Sequence, residues 1–298
     1  MTEIVTFPFD KEKFDQIRQY RFGKNWPVVY VIEDKREAYI GQTVNVNFRS
    51  KQHYENPERR KLKNIHIISD EEFNLSANYD IEAWLIQYMA ADGKYILQNG
   101  NGGLQNHNYY DRAKYRAKFE SLWETLKSND LVQHSLDFIK NTDLFKYSPY
   151  KSLTDDQLFV AKSIAHEIAK ELPQSFTVNG KPGTGKTILA TYLCKFLLEH
   201  EKTKHLKIGL VVPMASLRGT LKGVFAKVKG LKSNMVIGPN DVARTTFDLL
   251  IIDESHRLQR RRNIMGYGSY DNVNKVLNLS KESTQLDWMM KQSKYQIF

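Results

Sequence analysis

The chain of 298 residues is poor in cysteine, with Cys194 as its only thiol. A single cysteine excludes an intrachain disulfide framework and a cysteine-rich zinc site. No run approaches the roughly 18 consecutive apolar residues of a membrane-spanning helix, and the stretch MTEIVTFPFDKEKF lacks the segments of a secretory signal. Low-complexity tracts are also absent. These absences predict a cytoplasmic protein of ordinary globular composition, without a membrane partner.

Basic residues outnumber acidic ones, with 44 Lys and Arg residues and 34 Asp and Glu residues. The formal charge of +10 makes the surface attractive to polyanions, so nucleic acid is the expected macromolecular partner. A basic surface that merely keeps the protein in solution is the alternative. The length and the 41% of apolar residues suffice for about two domains, each with a core of its own.

One segment fits the phosphate-binding loop pattern G-x-x-x-x-G-K-[ST] at every fixed position. Its residues are Gly180, Lys181, Pro182, Gly183, Thr184, Gly185, Lys186 and Thr187. Glycines let successive N–H groups point at phosphate oxygens, Lys186 reaches the β and γ phosphates, and Thr187 offers a hydroxyl to Mg²⁺. A short alternating stretch at 175–179 and an apolar run at 188–198 place this loop between a strand and a helix. The segment predicts binding of ATP with Mg²⁺.

An acidic pair, Asp253 and Glu254, ends the run FDLLII at 247–252, which has the composition of a buried parallel strand. Carboxylates at the C-terminal end of such a strand stand in the crevice where ligands bind. We therefore expect Asp253 to hold Mg²⁺ together with Thr187, and Glu254 to polarise the attacking water. A simple turn or helix cap is the alternative for such a pair.

Gln157 lies three residues after Thr154, at the spacing of a helix capping box, ahead of an amphipathic helix. Its planar amide carries a donor and an acceptor, so it is also suited to read the edge of adenine. The two roles are compatible.

The composition changes near residue 150. Short β-rich runs (VVYVI, AYIG, NIHIIS) alternate with helical stretches before it, and two polar-faced helices span about 110–140. After it, strand and helix patterns alternate as in a parallel sheet covered by helices. The expected fold class is α/β, with a small first domain (1–109), a helical connector (110–150) and a P-loop domain (151–298). The arginine cluster after Asp253 (Arg257, Arg260, Arg261 and Arg262) is either a phosphate-contact loop or a solvated charge run.

The order of these motifs resembles the superfamily 1 helicases. The Gln157 segment resembles their Q-motif, GKPGTGKT motif I, residues 208–221 motif Ia, and DESH at 253–256 motif II. More closely, the combination is similar to the family related to the Schlafen group 3 helicases, over about residues 152–298. Such motors have a RecA-like fold and need a second lobe with an arginine finger, which nothing after Asp253 supplies. We therefore expect a part of a longer protein that binds ATP, hydrolyses it weakly and does not unwind by itself.

The first half carries an ordered set of polar residues suited to phosphodiester hydrolysis: Tyr30, Tyr39, Arg49, His53, Glu82 and Asn99. One carboxylate holds one divalent cation, Tyr and His deliver protons, and Arg stabilises charge on phosphorus. Arg49 and His53 are four residues apart and share a helix face. Taken singly, each residue has an ordinary explanation, such as a core tyrosine, a solvated helix face or a turn.

Together this set resembles the GIY-YIG nuclease family over about residues 26–101, with Gly41 as the motif glycine. The resemblance implies an α/β domain with a short antiparallel sheet, one Mg²⁺ at Glu82, Arg49 on the scissile phosphate, and either a water or a motif tyrosine as base. Val replaces both Gly and Ile of the first triplet, a departure at positions that serve mainly the strand. Asn101 competes with Asn99 for the last position.

These interpretations combine into a metal-dependent endonuclease joined to an ATP-dependent helicase-like lobe, acting on DNA rather than RNA in processing, restriction or defence. Two alternatives stay open. The first is a module that grips nucleic acid without cutting it, and the second is an ATP-dependent switch that acts on a protein partner. The oligomeric state does not follow from the sequence.

Overall fold

The computed structural model describes residues 2–100, 102, 109–151 and 153–298. Its contacts divide the chain into two compact units, Met1–Ser152 and Leu153–Phe298. Each unit has its own five-stranded sheet. No helix in the described part of the chain combines the length and the apolar character needed to cross a membrane.

The N-terminal unit is built on a sheet with the strand order β1-β4-β2-β3-β5. Its strands are β1 (Glu3–Pro8), β2 (Val28–Glu33), β3 (Glu37–Thr43), β4 (Asn64–Ser69) and β5 (Ile96–Leu97). All neighbours are antiparallel except β3 and β5, which run parallel. The three β-rich runs seen in the sequence are thus β2, β3 and β4. Strand β1 was not foreseen, although it pairs with β4 along its whole length.

Six α-helices are described in this unit: α1 (Phe14–Gln19), α2 (Val46–Glu55), α3 (Leu75–Asp92), α4 (Arg112–Ser128), α5 (Leu136–Lys140) and α6 (Asp143–Lys146). Helix α3 is the central one, and it contacts β2, β3 and α4. The side chain of Asn74 caps its first turn, and Gly93 ends it at φ 75°, a left-handed conformation that costs glycine little. Almost every residue of α3 is buried, so its side chains are held firmly against the sheet.

The C-terminal unit has an entirely parallel sheet with the order β6-β10-β9-β7-β8. Its strands are β6 (Gln174–Phe176), β7 (Ile208–Val211), β8 (Val236–Ile237), β9 (Phe247–Ile252) and β10 (Ser293–Ile297). Its α-helices are α7 (Asp155–Ile168), α8 (Lys186–Glu199), α9 (Ala215–Ala226), α10 (Tyr267–Val276) and α11 (Gln285–Gln292). This mixed α/β architecture with a parallel sheet confirms the predicted fold class of the second half in its coarse form and suggests a RecA-like P-loop domain.

Burial explains why the second half forms a parallel sheet. The last four residues of β9 are buried, as expected for a strand covered on both faces. Strand β10 lies between β6 and β9, so residues 293–297 contribute a central strand of this sheet. The strand before the phosphate-binding loop is shorter than the predicted run 175–179, because β6 ends at Phe176. Beyond β6, the N–H of Val178 still donates to the carbonyl of Phe298 over 2.8 Å, so the chain leaves the sheet just before the loop that begins at Gly180.

Candidate functional site

The two motif tyrosines of the N-terminal unit lie on the β2–β3 hairpin. Tyr30 pairs with Gly41 across the hairpin, and Tyr39 pairs with Ile32. The Tyr30 side chain lies over Gly41 so closely that a Cβ at this glycine would stand 2.3 Å from the tyrosine hydroxyl oxygen. Gly41 is therefore required by the position of Tyr30 rather than by its own backbone conformation.

We predict that Gly41→Ala displaces Tyr30 and lowers the free energy of unfolding of the N-terminal unit by about 1 to 3 kcal/mol, the usual cost of overpacking. Thermal unfolding measures this change. Gly219→Ala, on helix α9 of the C-terminal unit, is the control for a glycine replacement without a clash, since a Cβ at Gly219 meets no atom within 4 Å, and it should leave the unfolding of the N-terminal unit unchanged. That variant should be neutral or more stable. Equal stability of the two alanine variants would contradict the placement of Tyr30.

His53 holds the hydroxyl of Tyr30, with 2.7 Å between Nε2 and the phenolic oxygen. Arg59 donates from Nη1 to Nδ1 of His53 over 2.7 Å, and its guanidinium lies 3.9 Å from the ring centre of Tyr39. Burial, assisted by the charges of Arg59 and Arg49, lowers the pKa of His53 to about 3. Because an arginine only donates hydrogen bonds, Nδ1 of neutral His53 must be the acceptor and Nε2 must carry the proton. The Nε2–H therefore donates a hydrogen bond to the oxygen of Tyr30.

Arg59 was not foreseen as a site residue. It belongs to the run Arg59-Arg60-Lys61, which has the sequence character of a solvated surface. Only the fold brings its guanidinium against His53 and Tyr39. No sequence signal separates Arg59 from its neighbour Arg60, which binds backbone carbonyls of α2 instead.

Arg49 and Glu82 complete this group of side chains. The guanidinium of Arg49 interacts with the hydroxyl groups of Tyr30 and Tyr39 and also donates to Gln52 over 2.9 Å. Glu82 projects from α3, and burial raises its pKa to about 7, opposed by the charge of Arg49 and by the backbone N–H of Gln42. The structure thus brings together the tyrosines, Arg49, His53 and Glu82, which are spread over residues 30–82 of the sequence.

Asn99 is placed differently from the other residues of the set. Its amide oxygen accepts from the backbone N–H of Ile40 at 3.0 Å, and its amide nitrogen donates to the Ile40 carbonyl at 2.8 Å. Both atoms are thereby used to hold β3 next to Tyr39. The structure makes Asn99 a positioning residue. Asn101, the competing candidate, lies outside the described residues.

A metal ion bound in this unit would have one carboxylate ligand, Glu82. Within the described ranges, no group of three or more His, Cys, Asp or Glu side chains is close enough to hold an ion. Asn78 stands one helical turn before Glu82 on the same face of α3, and its buried amide has no hydrogen-bond partner among the described residues. A buried amide without a partner is costly, and a water of a hydrated cation would satisfy it. The residues present fit a largely hydrated Mg²⁺ held by Glu82.

The phosphate-binding loop in the C-terminal unit begins at Gly180 and leads into α8. Gly183 and Gly185 adopt φ values of 78° and 79°, in the left-handed region that favours glycine. At Gly185 a Cβ would also lie 2.9 Å from the amide nitrogen of Gln157. Lys186 Nζ donates to the carbonyls of Gly180 and Lys181 at 2.8 and 3.1 Å. The loop therefore has the backbone geometry that its sequence predicts.

Thr187 and Asp253 meet at the carboxyl end of β9. The Thr187 hydroxyl donates to Oδ2 of Asp253 over 2.9 Å. Burial raises the pKa of Asp253, and the hydrogen bond from Thr187 opposes that shift. A hydroxyl beside a carboxylate at the start of a P-loop helix is a ligand pair that suits Mg²⁺, so these residues fit the ion expected of them.

Glu254 has a strained backbone, with φ at 53° in a residue other than glycine. Such a conformation costs on the order of 1 kcal/mol and persists where the surrounding structure demands it. The Glu254 carboxylate lies 3.2 Å from Nε2 of His256, and a cavity of about 500 Å³ beside it is lined by Gly180, Lys186 and Asp253 among others. The volume is that of a small-molecule site.

Gln157 links α7 to the phosphate-binding loop. The capping box with Thr154 is present, as the spacing predicts, and the amide nitrogen of Gln157 donates to the Thr184 carbonyl at 2.7 Å. The side chain therefore supports both the helix start and the loop.

Among the clustered arginines, Arg261 donates to the carboxylate of Asp271 through hydrogen bonds of 2.6 and 2.9 Å. A phosphate contact from this cluster would have to come from its other members.

Comparison with protein families agrees with the geometry of the C-terminal unit. Residues 173–298 match the family described as Schlafen group 3, DNA/RNA helicase domain. This part of the chain is a helicase-like P-loop ATPase region. The match begins just before β6 and includes both the phosphate-binding loop and Asp253, whereas Gln157 and the whole N-terminal unit lie outside it.

Two curated relatives share similarity with this chain. It is 32% identical over 111 residues to the replicative helicase loader DnaC of Buchnera aphidicola subsp. Acyrthosiphon pisum, and 33% identical over 112 residues to that of Buchnera aphidicola subsp. Schizaphis graminum. Each alignment covers 36% of this chain and 41% of the relative. The chain therefore spans about two fifths of the length of these relatives. No solved structure matches the chain significantly.

Proposed function

We propose that the N-terminal unit is a metal-dependent nuclease of the GIY-YIG type and that the helicase-like region controls it through ATP. The observation that carries this proposal is the convergence of Tyr30, Tyr39, Arg49, His53 and Glu82 around one position on the sheet. Each of these residues matches a position of that family's pattern, and together they supply the kinds of group that phosphodiester hydrolysis uses: proton donors, a positive charge and one carboxylate. The domain limits we propose remain 1–109, 110–150 and 151–298.

Tyr30 is the centre of the proposed mechanism. Burial raises its pKa, so Tyr30 keeps its own proton at neutral pH. Its oxygen accepts a hydrogen bond from the Nε2–H of His53, which leaves the phenolic O–H free to bind and orient a substrate oxygen or the attacking water. The sequence left open whether a water or a motif tyrosine acts as the base. Because Tyr30 keeps its proton, this geometry favours a water that Tyr30 orients over an ionised Tyr30. Tyr39 is more exposed and is held by the guanidinium of Arg59.

Arg49 supplies positive charge where negative charge develops on the phosphoryl group. Its hydrogen-bond partners are neutral, namely hydroxyl groups and the amide of Gln52, while the carboxylate of Glu82 interacts with its charge through space. A bound Mg²⁺ at Glu82 would supply Lewis-acid stabilisation of the leaving oxygen. We therefore propose that Arg49 binds the scissile phosphate and that Tyr30 and Tyr39 orient the nucleophile. His53 would hold the hydroxyl of Tyr30 in place, and Asn99 would hold β3 in position.

The raised pKa of Glu82 predicts a pH-dependent metal affinity. A proton competes with the cation for the carboxylate, so the affinity for a divalent ion should rise with pH and level off above about pH 7. Below that value, each pH unit should cost about tenfold in affinity. Mn²⁺ titration followed by electron paramagnetic resonance from pH 5.5 to 8 tests this. An affinity that is constant over this range would contradict the assignment of Glu82.

In the helicase-like region, we propose that residues 180–187 bind the phosphates of ATP, with Lys186 on the β and γ phosphates and Gln157 near the base. Asp253 and Thr187 would hold Mg²⁺, and Glu254 would orient the hydrolytic water. The left-handed backbone of Glu254 supports this role, because strain of this kind concentrates at functional sites. DNA is the proposed polymer rather than RNA, and the proposed compartment is the cytoplasm.

Cleavage of a panel of labelled substrates tests the proposal against a module that binds without cutting. Single-stranded, duplex and branched DNA and the corresponding RNAs are incubated with Mg²⁺, with and without ATP. The nuclease predicts products that disappear in EDTA. Tight binding with no product on any member of the panel would support the non-cutting alternative.

A second candidate function is an ATP-dependent switch acting on a protein partner. The similarity to proteins named replicative helicase loaders favours it. Salt dependence separates the candidates, since binding through phosphates weakens steeply as salt rises. Association that is insensitive to salt and independent of nucleic acid would favour the switch.

A further inference from the structure

We propose that the exposed face of α2 binds an unpaired nucleotide of the strand being cut, with the ring of Phe48 stacked on its base. This inference rests on the proposed nuclease function and extends it to the kind of substrate. It predicts a preference for single-stranded or unpaired segments over continuous duplex.

The face is defined by burial along α2. Asn47, Ser50 and His53 point into the protein, whereas Phe48, Lys51 and Gln52 are exposed. Residues three and four apart on a helix are neighbours, so the ring, the ammonium and the amide lie side by side. An aromatic ring stacks on a base, a lysine contacts phosphate and an amide hydrogen-bonds to a base edge. The three groups together match the parts of one nucleotide.

Phe48 is one of three aromatic side chains in the described part of this unit that are more than half exposed, at 59%, and within the described ranges no other ring contacts it. Tyr110, at 88%, lies in the turn just before α4. Phe138 on α5 is similarly exposed at 55%, but it stacks on His134 with ring centres 4.5 Å apart. An exposed aromatic ring without a partner has its faces available for a ligand. Val44, which is 44% exposed, adds apolar surface just before the helix.

The position of Phe48 connects this face to the cleavage residues. It immediately precedes Arg49, and the hydrogen bond from Arg49 to Gln52 ties the guanidinium to the exposed face. A base on Phe48 would therefore have its phosphate within reach of Arg49. Stacking needs a free base face, and in a duplex both faces are covered by neighbouring pairs. That requirement is why an unpaired nucleotide is the proposed occupant.

Photocrosslinking tests this contact without requiring cleavage. Single-stranded DNA carrying 5-iododeoxyuridine is bound to the full chain in EDTA and irradiated, and the modified peptide is identified by mass spectrometry. A crosslink at Phe48 with the single strand, and none with the same sequence as a blunt duplex, is the expected result. A crosslink pattern that omits α2 would overturn the proposal.

Affinity provides a second measurement with matched variants. Phe48→Ala should weaken single-strand binding by about tenfold and duplex binding by less than about twofold, whereas Phe48→Trp should keep both. Phe138→Ala is the control and should change neither. Equal weakening of both forms by Phe48→Ala, or no weakening, would contradict base stacking. A wild-type chain that shows the Phe48 crosslink but never cuts would contradict the proposed nuclease and leave this contact standing.

Discussion

Replacing Glu82 by Gln is expected to lower the rate of Mg²⁺-dependent strand cleavage by at least about a hundredfold, because several kcal/mol of charge stabilisation is lost with the metal ligand. The fold should be retained. The pKa of Glu82 is about 7 in the folded chain, above that of an unfolded glutamate. The folded state therefore loses stability as pH rises through this range, and the loss is complete above about pH 7. Glutamine removes this loss, so Glu82→Gln should be equally or more stable at pH 8.

This combination of outcomes separates a catalytic from a structural role. Single-turnover cleavage and thermal unfolding at pH 8 are measured on the same preparations. Glu124→Gln is the matched control, because Glu124 lies exposed on α4. It should change neither property. A large loss of stability in Glu82→Gln would show that the carboxylate supports the fold, and undiminished cleavage would remove Glu82 from the mechanism.

Lys186→Ala is the variant with the second large effect. The ammonium stands against the loop carbonyls of Gly180 and Lys181, beside the cavity that the loop and Asp253 line. Losing a charge-assisted contact to the phosphates should weaken ATP binding by about tenfold to a hundredfold. Titration with a fluorescent ATP analogue measures this, and ATP turnover should fall with it.

The same variant tests whether ATP and cleavage are coupled. Lys162→Ala is the control, since Lys162 is an exposed lysine of α7 in the same unit. If the helicase-like region controls the nuclease, ATP should change the cleavage rate of the wild type and of Lys162→Ala, but not that of Lys186→Ala. Cleavage that responds identically to ATP in all three proteins would separate the two activities.

The sequence was sufficient to predict those features that a few neighbouring residues encode. The phosphate-binding loop carries its own backbone requirements, so the glycines at 183 and 185 predict both its position and its conformation. The run 247–252 predicts a buried strand because it is uniformly apolar, and Asp253 follows from its end. The shared face of Arg49 and His53 follows from their four-residue spacing on a helix. These are local properties, encoded within a few residues.

Contacts between residues far apart in the chain could not be predicted from the sequence. The guanidinium of Arg59 reaches His53 and Tyr39 only because the chain after α2 turns back, and no pattern distinguishes it from Arg60. The same holds for Asn99, whose amide is used by the backbone of Ile40 instead of standing free. Strand β1 was missed because it lies ahead of the motifs and is stabilised by its pairing with β4, a contact that the local sequence does not indicate.

The central claim is that the group around Tyr30, Arg49 and Glu82 cuts nucleic acid. Its most direct test is the single-turnover cleavage of labelled single-stranded DNA in Mg²⁺ by the wild type and by Arg49→Ala, with binding measured in parallel in EDTA. We predict cleavage by the wild type, a loss of at least about a hundredfold in Arg49→Ala, and binding that changes far less. Equal cleavage by the two proteins, or none by the wild type on any substrate of the panel, would contradict the account.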